Sequence, residues 1–358
     1  MKIGIITFHW ATNYGAILQC YALQTYLEDM GHDVYIINYR PKNYKKTLLK
    51  CFFTPRVWSY SSNVKAYIKE QKLEKFRKKY LNETKLYESL EELQSNPPKL
   101  DVYVCGSDQI WNPSFTMFGE GKPTPAYFLN FGKDGIKRIA YAVSFGVEVY
   151  PEAPSTIARN YVPYFDAISV RENTGLNIVT QLGFTKPIKL SDPTILLDKF
   201  KYAFNASNIN HATSIKKSAF FYVLRNEDNG IKKIKEHLKV NYRLNTTEGL
   251  FNQNSIEEWV RGIQSASIVV TNSYHGMIFS IIFHVPFIVV LAKGAASGMN
   301  DRFITLLGHL KLEHRAIEDF NKDEFNKLAN EQFNWESIDS KLAEIKKDSN
   351  MFFNKILK

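Results

Sequence analysis

The stretch Ser267-Ile268-Val269-Val270-Thr271-Asn272-Ser273-Tyr274-His275-Gly276-Met277-Ile278-Phe279-Ser280-Ile281-Ile282 decides the fold. Its first residues are β-branched or small and read as a buried parallel strand. Its last residues are an apolar helical run, and the polar cluster Thr271–Gly276 sits at the joint between them. In open α/β sheets, ligands bind beyond the carboxyl ends of strands, where loop groups and helix N-termini converge. A histidine placed there can donate to an anion and can move protons near neutral pH. His275 is therefore the first candidate for chemistry.

The same strand–helix alternation extends in both directions. Strands are expected at residues 2–8, 34–37, 101–105, 138–144, 167–170 and 188–190. Helices are expected at 15–30, 63–80, 154–160 and 173–181 between them. The series restarts with a strand at 219–224, a helix at 228–238 and a short strand at 242–244. It continues with a helix at 255–265, a strand at 267–271, a helix at 274–283 and a strand at 286–291. Two successive series imply an α/β protein of two Rossmann-like, doubly wound domains. The expected division is 1–205 and 206–358, with a final helix from about residue 337 assigned to the second domain.

A chain of 358 residues exceeds what one core usually supports, in keeping with two domains. Apolar content of 44% and charged content of 23% are those of a globular protein. Cys20, Cys51 and Cys105 lie far apart, in no metal-ligand spacing, and read as reduced cytosolic thiols. The N-terminus enters directly into a strand instead of a signal peptide. The longest apolar run, Met277 to Ala292, is broken by Ser280, His284 and Pro286 and falls short of a membrane span. The expected location is the cytoplasm.

The net charge of +10 is concentrated. Arg40 to Lys79 holds 13 Lys/Arg against Glu70 and Glu74, a local excess of +11. Tyr44, Leu48, Leu49, Phe52, Phe53, Val57, Trp58 and Tyr60 interleave with those charges. This mixture suits peripheral association with an anionic membrane, or else a solvated helix face and a partly buried loop. No recognition helix or RNA-binding motif accompanies it, so nucleic acid is not an expected partner.

Further polar clusters follow other strands. Asn13, Tyr14 and Gly15 open the first helix, where a phosphate loop would sit, although the dinucleotide glycine pattern is missing. Ser107, Asp108, Gln109, Trp111 and Asn112 combine a carboxylate, amides and an indole as a sugar subsite does, with Asp108 a candidate base for an acceptor hydroxyl. A structural Asx turn is the alternative. Arg171 ends a strand and offers a planar fork for carboxylate or phosphate, or pairs locally with Glu172. Ser191-Asp192-Pro193-Thr194 reads equally as a cap or a binding turn, and Arg302 opens a helix within reach of an anion. No Gly-x-Ser-x-Gly elbow, Cys–His pair or metal set is readable.

Taken in order, these pieces resemble the polysaccharide pyruvyl transferase family. The matching residues are Gly4–Thr7, Asn13–Ala16 with Gln19–Leu23, Gly106–Gln109, Trp111-Asn112, Tyr141–Gly146, Ser169–Glu172, Ser191–Thr194 and Thr271–Gly276, spread over residues 1 to about 310. The resemblance implies a glycosyltransferase-B-like architecture and transfer of pyruvate from phosphoenolpyruvate to a sugar, usually as a cyclic ketal across two hydroxyls. Phosphoenolpyruvate is then a co-substrate, and no metal or redox cofactor is expected. It implies that Arg171 holds one anionic group of the donor and that His275 is general acid or phosphate contact. Asn13, Tyr14, Gly15, Ser107, Gln109, Trp111, Asn112, Ser273, Tyr274 and Arg302 complete the substrate site. Some members carry Arg and Leu where this chain has Ser273 and Tyr274, a role Arg302 can take over. An acceptor sugar linked to polyprenyl pyrophosphate would explain a basic, aromatic insertion at about residues 40–80 in an acceptor-side first domain. Competing readings are a sugar-nucleotide glycosyltransferase of the same architecture and a non-catalytic membrane or polyanion binder.

Overall fold

The first strand, β1 (Lys2–Ile6), is apolar and buried from Ile3 onward, and it delivers a polar turn that starts α1 (Tyr14–Asp29). Asn13 caps α1 by accepting from the Ala16 N–H at 3.2 Å, which closes one of the orphan donors of the first turn. The computed structural model describes residues 1–41, 57–114, 124–204, 218–224, 230–249 and 254–358. The expectations placed on Lys42 to Arg56, Cys51 and the aromatic residues there included, lie outside them.

The remaining elements of the first half are β2 (Asp33–Ile36), α2 (Val57–Tyr80), α3 (Leu90–Ser95), β3 (Val102–Asp108), β4 (Lys137–Val143), α4 (Glu152–Ala158), β5 (Ala167–Val170), α5 (Asn173–Gln181) and β6 (Ile188–Lys189). The strands pair in parallel in the order β2-β1-β3-β4-β5-β6. The order reverses at β1, so the crevice between the carboxyl ends of β1 and β3 is the topological switch point. Near its end β4 shifts register against β5, with Ala142 at φ 45°, a bulge that re-aims the strand end.

The second half holds β7 (Ser218–Tyr222), α6 (Ile231–Asn241), β8 (Asn245–Glu248), α7 (Ile256–Gln264), β9 (Ile268–Thr271), α8 (Tyr274–Ile282), β10 (Phe287–Val290), α9 (Asp301–Leu310), β11 (Ala316–Ile317), α10 (Lys322–Asn330) and α11 (Trp335–Ile356). Its sheet is also parallel, in the order β11-β10-β9-β7-β8, with the switch point between β7 and β9. The α/β class with two Rossmann-like domains is thus what the chain adopts. β8 differs from expectation: Tyr242 caps the end of α6, and the polar edge sequence Asn-Thr-Thr-Glu forms the strand. An edge strand tolerates such polarity because one side meets water.

The chain divides into two compact units, Met1–Leu197 with Ile345–Lys358, and Asp198–Glu344. The expectation that the C-terminal helix belongs wholly to the second domain is corrected, because its last part returns to the first. Phe353 is fully buried there, stacked on Tyr141 with centroids 4.7 Å apart, and Tyr141 Oη lies 3.0 Å from Ser349 Oγ. Lys137 Nζ donates to the Ile356 carbonyl. Apolar surface on β4 and α1 supplies the reason, since leaving an aromatic side chain in water forfeits about 2 kcal/mol. Replacement Phe353→Ala should cost about 3–5 kcal/mol in denaturant unfolding. A loss below about 1 kcal/mol would show the returning segment to be dispensable for the first unit.

Candidate functional site

Each unit places a polar cluster at the carboxyl end of its own sheet. In the first, Arg171 follows β5 and is buried, with 2% of its surface exposed. Its Nη1 donates to Asp192 Oδ2 at 2.6 Å and its Nη2 to Asp108 Oδ1 at 3.1 Å. Asp192 is wholly buried and accepts from the Thr194 N–H at 3.0 Å and Thr194 Oγ1 at 2.6 Å as well. The Asp108 side chain keeps 17% exposure, so it is the part of this cluster that meets solvent. Asp108 holds φ 73°, a left-handed conformation that Asp tolerates better than most residues. Strained backbone of this kind gathers at functional sites.

Ser107 ties this cluster to the switch point. Its N–H donates to Gln19 Oε1 at 2.9 Å, its Oγ to the Ala142 carbonyl at 2.9 Å, and Asp192 Oδ2 lies 3.4 Å away. Gln19 in turn donates to Thr7 Oγ1 at 2.9 Å. Glu172 Oε1 accepts from the Phe145 N–H at 2.9 Å. The guanidinium expected to meet a donor anion is therefore engaged by two carboxylates of its own chain. That matched geometry is what makes a buried charge tolerable.

The expected sugar subsite divides. Ser107 and Asp108 join the cluster, whereas Trp111 is fully buried, donates Nε1–H to the Tyr127 carbonyl at 3.0 Å and packs against Phe128 and Phe145. A ring with no exposed face offers no platform for a sugar, so Trp111 is a core residue. Asn112 Nδ2 donates to Gln109 Oε1 at 2.7 Å, and both side chains are nearly buried. A Cβ at Gly146 would lie 2.5 Å from that Gln109 oxygen, so the amide pair fills the space above a left-handed glycine. These two shape the loop.

At the α1 end, Tyr14 and Gly15 are buried, and Lys69 Nζ stands 4.3 Å above the Tyr14 ring. Burial pulls the Lys69 ammonium down to about 8. Beside it runs an ion network that composition did not foretell. Arg77, fully buried, pairs with Glu70 and with Glu74 at 3.0 Å, and Arg40 pairs with Glu74 at 3.1 Å and Glu83 at 2.8 Å. Two of the cations counted in the basic stretch are thus neutralised internally. His9 Nε2 lies 3.2 Å from Asn38 Oδ1; burial first, then Arg40, lower its pKa to about 3. The Cys20 and Cys105 thiols are buried and pushed up by that burial, which makes them inert packing.

In the second unit, Thr271 Oγ1 donates to the Tyr222 carbonyl at 2.6 Å and accepts from the Ser273 N–H at 2.9 Å, joining β9 to β7 at the switch point. Ser273 caps α8, accepting from the Gly276 N–H at 3.4 Å. His275 therefore lies in the first turn of α8, 6% exposed, where the helix dipole favours anions. The Tyr274 ring is edge-on to His275 at 5.9 Å and to Phe303 at 5.7 Å, and the Arg302 guanidinium stands 5.5 Å from both the Tyr274 and Phe303 rings. Ser273, Tyr274, His275 and Arg302 are thus brought together. A Cβ at Gly276 would lie 2.5 Å from Thr271 Oγ1, so glycine is needed for this close start of the helix. Among the described residues no group of three or more His, Cys, Asp or Glu is placed to hold a metal ion. No helix among them is long and apolar enough to cross a membrane.

Two doubly wound α/β units, each with a parallel sheet, define the fold class. Within that class the chain belongs to the polysaccharide pyruvyl transferase family, whose model matches residues 13–292. Among curated proteins none matches the sequence. The UDP-GlcNAc 2-epimerase from Methanocaldococcus jannaschii is similar in structure, with a TM-score of 0.50, 14% identity and coverage of 99% of this chain and 100% of that one. The UDP-N-acetylglucosamine 2-epimerase from Rickettsia bellii has a TM-score of 0.47, 12% identity and coverage of 99% and 97%. The Streptomyces sp. SF2575 glycosyltransferase SsfS6 has a TM-score of 0.39, 10% identity and coverage of 97% and 96%. At such identities the likeness concerns the fold alone.

Two outcomes follow from the charge geometry. Asp192→Ala leaves the buried Arg171 half-paired and should cost about 3–5 kcal/mol of stability, which denaturant titration measures. Unfolded His9, with an ordinary pKa of 6.5, takes up a proton that the folded ring refuses down to about 3. Its contribution is therefore whole above pH 6.5 and lost as pH falls, by up to about 1.4 kcal/mol per unit. His9→Gln should flatten that slope; an unchanged slope assigns the acid sensitivity elsewhere.

Proposed function

We propose that this chain transfers the pyruvyl group of phosphoenolpyruvate onto two hydroxyls of a sugar in a bacterial surface polysaccharide or its lipid-linked precursor. The observation that carries this reading is the family match over residues 13–292, with His275 in the first turn of a helix at a topological switch point. Phosphoenolpyruvate carries a phosphate and a carboxylate and needs converging N–H and cationic donors. The start of α8, His275 and Arg302 supply that chemistry in the second unit. The cluster of Ser107, Asp108, Arg171 and Asp192 supplies acceptor chemistry in the first, with Asp108 the base and Arg171 holding it in place.

In this mechanism a proton adds to C3 of the enolpyruvyl group and leaves cationic character at C2. One sugar hydroxyl attacks C2, losing its proton to a general base. The C2–O bond to phosphate breaks with help from His275, and phosphate departs carrying the electron pair. A second hydroxyl then closes the ketal. One of the two hydroxyl protons balances the C3 methyl hydrogen, and the other leaves with the phosphate or the solvent.

The exposed lysines of α2, among them Lys65, Lys75, Lys78 and Lys79, suit a lipid-linked acceptor at the inner face of an anionic membrane. Removing them should weaken binding to anionic vesicles and turnover of a lipid-linked acceptor while sparing short soluble sugars. Equal loss on both acceptors places those lysines in folding or chemistry instead.

The decisive assay is phosphate release from phosphoenolpyruvate with galactose-, mannose- or glucose-terminated acceptors. Acceptor-dependent release is expected, with a product heavier by one pyruvyl ketal. His275→Ala and Asp108→Asn should each lower kcat by about two to four orders of magnitude. Arg302→Ala should raise KM for phosphoenolpyruvate. Stabilisation by a UDP- or GDP-sugar with no response to phosphoenolpyruvate would instead mark a glycosyltransferase.

A further inference from the structure

The amino-end side of the first sheet carries a second recess. A groove of about 620 Å³ is lined by residues that include Tyr161, Tyr164, Asn130, Asp134 and Asp166. It sits where β4 starts, at Lys137, whereas Asp108 pairs with Val143 at the far end of that seven-residue strand. Extended chain of that length spans roughly 20 Å, so the groove is separate from the Asp108 cluster.

The lining selects a type of ligand. Tyr164 leaves 76% of its surface in solvent, and Tyr161 is fixed beside it by a hydrogen bond from Asn130 Nδ2 to its hydroxyl at 3.0 Å. Asp134 and Asp166 place carboxylates on the rim, both exposed. Arg138 lines the groove as well and keeps its positive charge, and its backbone N–H donates to Asp166 Oδ2 at 2.7 Å. Its Nε donates to the Leu129 carbonyl at 3.2 Å, Nη1 to Ile136 at 3.1 Å, and Nη2 to Phe131 at 3.0 Å, so its donors hold the groove wall. A neutral pyranoside fits: its C–H face lies on tyrosine and its hydroxyls donate to the carboxylates.

We propose that this groove binds neutral sugar units of the polysaccharide acceptor, remote from the hydroxyls that react. The polymer's identity as ligand rests on the function proposed above; the sugar chemistry of the groove rests on its lining. A second grip of this kind favours polymers over single sugars through effective concentration.

The test is saturation-transfer NMR on the full chain with monosaccharides and hexasaccharides of galactose, mannose and glucose. At least one hexasaccharide should bind, and Tyr164→Ala and Asp134→Ala should each weaken it about tenfold. Both positions are exposed, so neither substitution threatens folding. His275→Ala should leave this binding unchanged, which separates it from the transfer site. Because no turnover is read, failure of the phosphoenolpyruvate reaction leaves the result standing. Binding by none of the sugars, or binding indifferent to Tyr164→Ala, overturns the proposal. So does Tyr164- and Asp134-dependent binding of a lysine-rich peptide without sugar, since two carboxylates beside tyrosine rings also suit a cation.

Discussion

A guanidinium removed from water needs anionic partners close at hand, and the first unit is arranged around that requirement at Arg171. Asp192, wholly buried, takes one arm of the fork at 2.6 Å, and Asp108, partly exposed, takes the other at 3.1 Å. The three residues come from the end of β3, the end of β5 and the turn after β6. Pairing the charge therefore fastens strand ends that the sheet ladder alone leaves splayed. The partly exposed Asp108 presents its carboxylate to solvent from a left-handed backbone, held by a group that cannot follow it outward. One desolvated cation thus fixes a buried carboxylate and a partly exposed one together.

The second unit reaches a similar end by backbone means. Thr271 bridges β7 and β9, Ser273 caps α8, and the lack of a side chain at Gly276 lets the helix begin against Thr271. His275 follows from that start: a residue in the first turn of a helix stands among the free N–H groups, whatever the rest of the helix does. Arg302 arrives from α9 and rests over the Tyr274 and Phe303 rings.

Local reading captured the elements whose signal is local. β-branched runs gave the strands, and apolar runs of helical period gave the helices that follow them. It misjudged residues whose role depends on distant partners. Trp111 has the chemistry of a sugar platform, but Tyr127, Phe128 and Phe145 enclose it. Asp192 caps its turn, as one of its two readings expected, but nothing nearby in sequence announces that it also takes one arm of Arg171. Arg40 and Arg77 look like members of a basic surface run, yet Glu70, Glu74 and Glu83 neutralise them inside the unit.

The amino-acid sequence by itself determined the α/β class, the two parallel series and the positions of the strand-end clusters, because period, capping and turn chemistry act over a few residues. It also carried the ordered motifs that mark the family. Tertiary structure decided which charges stay in water and which are matched inside, which aromatic ring faces solvent, and that the last residues, around Phe353, return to the first unit. These are matters of burial and pairing between residues far apart in the chain. Their free energies depend on desolvation and geometry that only the folded arrangement creates.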